Sequence, residues 1–156
     1  MSKKVLWFVI VLLLAVIVGF AAKFMVLGST QEGTAEDSRT VVVLNSVERA
    51  AVLSEMRALL EATQLVVEGL TERDMKQVAE AASAVGMQAT STMDVRLMAK
   101  LPLNFKRLGM STHKAFDEIA ALAQTGDASK VQRKLAETMN NCVACHASFQ
   151  IPSVFQ

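Results

Sequence analysis

Apolar positions along this 156-residue chain fall into two regimes. From Val5 to Ala22 there are 18 consecutive residues without a charge. As a helix rising 1.5 Å per residue, that run spans roughly 27 Å, close to the hydrocarbon core of a bilayer. No polar face divides it, as one would in an amphipathic helix of a soluble core. Lys23 can snorkel to the interface, and Phe24–Leu27 continue the apolar run. Two readings stand, a retained anchor and a cleaved signal peptide. Gly19-Phe20-Ala21 offers the small-x-small form a signal peptidase accepts, but the run is long for a signal and resumes beyond that site, which favours the anchor. In either case Lys3 and Lys4 hold the N-terminus in the cytoplasm, and the rest of the chain lies outside.

The second regime begins after a polar stretch, residues 29–45, read as a linker. Its first half resembles a flexible tether, and Val41–Leu44 is either a strand or the lead-in to a helix. Beyond it, apolar and small residues step by three and four in four stretches. The first carries Leu53, Met56, Leu60, Thr63, Val67 and Leu70, with Asn45 and Glu48 as a capping box. The second carries Met75, Val78, Ala82, Val85, Ala89 and Thr92. The third carries Phe105, Leu108, Thr112, Ala115, Ile119 and Leu122, between Pro102 and Gly126. The fourth runs from about Asp127 through Val131, Leu135, Thr138, Cys142, Cys145 and Phe149 to Pro152. Helices of about 20 residues with short connections pack most simply as an antiparallel up-down four-helix bundle. The expected organisation is therefore an all-α chain: residues 1–28 an anchor or signal, 29–45 a linker, and 46–156 a four-helix-bundle domain. The many small residues in the stripes imply either very close packing or space held for something else.

Composition agrees with helices. Aromatic residues make up only 5%, with no Tyr, whereas strands favour aromatic and β-branched runs. From residue 29 onward there are 13 basic and 15 acidic residues, a balance of −2, which provides no basic footprint for nucleic acid.

The chemistry is concentrated in "NNCVACHASF". Cys142 and Cys145 are the only cysteines, and His146 follows directly. Three residues apart on a helix, the two sulfurs leave one face, which His146 roughly shares. C-x-x-C-H is the pattern of covalent c-type haem attachment, in which two thiols add to the porphyrin vinyls and the adjacent imidazole binds iron. A structural zinc site needs four ligands and would have to recruit His113. A thioredoxin-like dithiol belongs at the start of a helix in a βαβ unit, and a plain disulfide leaves His146 unexplained. One covalent haem c is thus the expected cofactor, and export agrees with it. His113, between Thr112 and Lys114, is expected at the surface, and Arg49, Arg57, Glu61, Glu68, Arg73 and Lys76 on solvated faces.

With its motif so near the C-terminus, on the fourth helix of a bundle, the chain resembles the class II c-type cytochromes, the cytochrome c-prime family, over roughly residues 46–150. The resemblance implies thioethers at Cys142 and Cys145 and His146 as the proximal iron ligand. Phe149 falls where the family often has an aromatic residue, and the next position, basic in many members, is Gln150. In this family the first helix presents one residue to the open face of iron. Aligning "QLVVEGL" places Leu53 there, with Met56 one turn along as the alternative and a candidate second axial ligand. The resemblance implies periplasmic electron transfer beside membrane redox partners. Its alternatives are binding of nitric oxide or carbon monoxide at five-coordinate iron, and a haem-bearing accessory role in a membrane complex. Relatives often dimerise through their first two helices. No acid–base pair or nucleophile surrounds the motif, so no enzyme is expected.

Overall fold

The computed structural model describes residues 2–153; the last three residues of the expected domain, 154–156, lie outside it. The long apolar run forms α1 (Lys3–Ala21), which continues without a break as a π-helical turn, Ala22–Leu27. No residue of α1 is buried. The four amphipathic stretches build α2 (Ser46–Glu72), α3 (Met75–Ala84), α5 (Leu103–Gln124) and α6 (Ala128–Ser148), with a short α4 (Val95–Lys100) between α3 and α5.

Local chemistry fixes the helix ends. The expected capping box is present: Asn45 Oδ1 accepts from the Glu48 amide at 2.9 Å, and Glu48 Oε2 accepts from the Asn45 amide at 2.9 Å. Asp74 and Asp127 cap α3 and α6 in the same way through their carboxylates. Gln77 Nε2 reaches back to the Leu65 carbonyl at 3.3 Å, so α3 runs antiparallel to α2. Lys134 pairs with Glu118 between α6 and α5, which turn back on each other through Gly126. The result is an up-down-up-down bundle.

Two apolar clusters divide its length. At one end Ala62, Val66, Val78, Ala82, Phe116, Ile119, Val131 and Leu135 close-pack around small residues. At the other end Val42, Val52, Leu97, Leu101 and Phe105 gather, with Met56, Cys145 and Phe149 against them. That second end contains the C-terminal turns of α6.

Three sequence expectations are corrected here. The second stretch is not one helix through Thr92. It stops at Ala84 and resumes as a 3-10 helix, Met87–Thr92, so Val85 stays in the core as the cap of α3 while Ala89 and Thr92 leave the expected helix. Gly86 explains the break, because the Asp117 carboxylate occupies the place of a Cβ there and Oδ2 accepts from the Met87 amide at 3.0 Å. The segment 29–45 is not a plain tether. Strand β1 (Thr30–Gln31) pairs antiparallel with β2 (Thr40–Val42), and β2 pairs in parallel with β3 (Phe149–Gln150), directly after the Cys-His motif. Val42 is fully buried, which settles Val41–Leu44 as a strand followed by a short lead-in. Phe149 leaves the fourth helix to enter β3, where its ring meets Phe105 edge-on at 5.4 Å.

Candidate functional site

The break after α3 opens one wall of the bundle. Behind it lies an apolar cleft of about 860 Å³, lined by α2, the 3-10 helix, α4, α5 and α6. Of the small residues in the stripes, Ala82 closes the packed end, whereas Thr63, Ala89 and Thr112 line the cleft. Both alternatives read from them therefore hold, at opposite ends of one bundle.

Helix α6 delivers the motif to this cleft. Cys142, Cys145 and His146 all line it, Cys142 exposed and Cys145 half-buried. Both thiols are free, and burial pushes both up from their ordinary range, Cys145 also through the neighbouring Cys142. Among the described residues no group of three or more His, Cys, Asp and Glu converges as a metal cluster. The two sulfurs and the imidazole stand side by side along a helix, an arrangement suited to the edge of a flat ring. The volume is at the upper end of the ~300–1,000 Å³ usual for ligand sites. A haem fits this site in volume, in apolar lining and in donor set.

Leu53 and Met56 face the same space from α2. Both are half-buried, and both also line a smaller adjoining cavity of about 340 Å³ together with His146. The structure brings the two residues to one site without choosing between them.

Two residues were misplaced or missed from sequence. His113 is not at the surface; it is 3% exposed and lines the cleft. Its Nδ1 lies 2.8 Å from the Val85 carbonyl and its Nε2 3.5 Å from Glu55 Oε1. A carbonyl only accepts, so Nδ1 carries the proton, and the ring holds the end of α3 against α5. Replacing His113 by Ala is expected to destabilise the protein by about 1–3 kcal/mol, since a buried carbonyl loses its donor. Denaturant unfolding of the holoprotein measures it, and an unchanged midpoint would contradict this role.

Arg39 drew no attention in the sequence because it sits in the supposed linker. Its guanidinium donates to the carbonyls of His146 at 3.1 Å and Phe149 at 3.5 Å, and pairs with Asp37 at 2.5 Å. Arg39 holds the Asp37 carboxyl down to about 2. Gln150 Nε2 completes the clasp by donating to the Arg39 carbonyl at 3.1 Å. A cation thus stands at the C-terminal end of α6, where a helix favours one, although position 150 itself is uncharged. Arg49, expected on a solvated face, donates through Nε to the Ile151 carbonyl at 3.1 Å.

An apolar cleft at one end of an up-down bundle, with a C-x-x-C-H motif on its last helix, defines a four-helix-bundle haem protein. The family model described as Cytochrome C' matches residues 100–150, which span α5 and α6. That match, across about a third of the chain, supports a haem-binding cytochrome similar to that family. No curated protein and no solved structure matches it.

Proposed function

We propose that this protein is an electron carrier held at the outer face of a bacterial inner membrane, with one covalent haem c. Cys142 and Cys145 would hold the porphyrin by thioethers, and His146 would bind the iron. Bound haem supplies a one-electron iron couple. The observation that carries this reading is the cleft itself: the motif faces an apolar, half-enclosed space at the bundle end nearest the apolar N-terminal helix. Apolar walls from α2, α4 and α5 would keep water from a haem held here, and the open side would leave an edge for electron exchange. Helix α1 supports anchoring, since its exposed apolar surface, including Trp7, Phe8 and Phe20, needs a lipid cover. The apolar N-terminal segment and the compartment usual for similar cytochromes support the periplasm. Redox proteins of the same membrane are the partners this placement would serve.

Met56, reaching the site from the first helix of the bundle, would supply the sixth ligand and raise the potential. The optical spectrum of the reduced holoprotein is therefore expected to be sharp, low-spin and unmoved by carbon monoxide. Met56→Leu is expected to broaden it and to admit the gas. A wild-type spectrum that shifts on adding carbon monoxide would instead place Leu53 over an open iron. Binding of nitric oxide or carbon monoxide would then be the function.

A further inference from the structure

The N-terminal helix does not hang from the bundle by a free linker. Its π-helical end stops at Gly28, whose φ is +65°, and this residue lies directly on the α4–α5 junction. A Cβ at Gly28 would overlap the Lys100 carbonyl oxygen and stand 2.7 Å from the backbone of Leu101 and Pro102. The next amide, from Ser29, donates to that Lys100 carbonyl at 2.6 Å. Lys106 Nζ reaches the Phe24 carbonyl at 3.3 Å, and Lys23 Nζ the Gly28 carbonyl at 3.1 Å. Strand β1 then begins within two residues and ties the same segment, through β2, to the strand that follows the haem motif.

We propose that the α4–α5 corner of the bundle, with Leu103, Lys106 and Arg107, rests in the phosphate-bearing headgroup layer of the membrane that α1 spans. The proposal rests on α1 being a retained anchor. A spanning helix leaves the hydrocarbon core near Leu27, and the corner is bonded to the very next residues. It must therefore sit at the bilayer surface, with no slack to move away. The chemistry of the corner suits that layer. Leu103 is a 41% exposed apolar side chain at the start of α5, and Lys106 and Arg107 follow it at the helical spacing that shares its face. An apolar side chain with adjacent cations fits the boundary between acyl chains and phosphates. Leu101, Phe105 and Lys106 also line the haem cleft. The corner thus places the cleft beside the headgroups, where a redox partner embedded in the same membrane can reach the haem edge.

Nitroxide labels test this on the full-length holoprotein, whose two native thiols are consumed by the haem, so that the parent protein takes up no label. Single cysteines are introduced by Leu103→Cys and, at the opposite end of the bundle, by Ser129→Cys. The labelled proteins are reconstituted in vesicles of phosphatidylethanolamine and phosphatidylglycerol and washed with alkaline carbonate. Collisions with lipid-soluble oxygen are then compared with collisions with an aqueous nickel chelate. The expected result is protein that stays with the vesicles, with an oxygen preference several-fold higher at position 103 than at 129. Adding Gly28→Ala is expected to release the corner and erase that difference while the protein stays bound. Vesicle-bound protein with equally aqueous labels at both positions would overturn the orientation and leave the anchor standing. Protein found cleaved in the wash would overturn both.

Discussion

Substituting alanine for Cys142 and Cys145 together is expected to leave no haem on the chain after acid–acetone extraction, whereas the parent chain keeps all of it. Each single substitution is expected to retain haem through the remaining thioether. Both thiols are free, both line the cleft, and three residues on one helix set them side by side. His146 remains in the double variant, so the folded protein can still bind haem through iron, and only denaturing extraction separates covalent from coordinate attachment. Haem retained by the double variant would show that the thiols are not the attachment points.

The second large effect is expected at Phe116. This residue belongs to the close-packed cluster of α2, α3, α5 and α6 and also lines the haem cleft, with only 2% of its surface exposed. Phe116→Ala is expected to cost about 3–5 kcal/mol, through lost burial and the cavity left beside fully buried Ile119 and Val131. Against a net domain stability of about 5–15 kcal/mol, that is a large fraction. Because the ring lies between core and cleft, the variant is also expected to broaden the haem spectrum. Thermal and denaturant unfolding measure the first effect. A cost below about 1 kcal/mol would mean that the cleft, unlike a packed core, collapses freely onto the vacancy.

What the sequence revealed and what it hid follow from range of interaction. The capping box at Asn45 and Glu48, Pro102 before α5 and Gly126 after it act within a few residues, and they placed α2 and α5. The haem motif is equally local. The end of α3 depends on partners far along the chain, Asp117 filling the space at Gly86 and His113 holding the Val85 carbonyl, and periodicity registers neither. A local hint was nonetheless present: Gly86 interrupts the stripe, and Asp94 stands ready to cap a new helix at Val95. His113 was misread because its flanking Lys114 is exposed; a helical turn puts neighbours on different faces, and Thr112 and His113 both turn inward. Arg39 could not be found by pattern at all. Its hydrogen bonds to His146 and Phe149 cross more than 100 residues and exist only because β2 pairs with β3. The contest between Leu53 and Met56 is of another kind, since both reach the site from one helix and iron coordination turns on which of them faces the metal.

Every functional step above depends on one haem joined to this chain through Cys142 and Cys145. The intact mass of the full-length protein, purified after export with haem attached and measured under denaturing conditions, tests it most directly. A single species heavier than the polypeptide by one haem is expected, and a bare-polypeptide mass for the Cys142→Ala, Cys145→Ala double variant. A bare polypeptide from the parent protein, under conditions where other exported c-type cytochromes carry theirs, would contradict it.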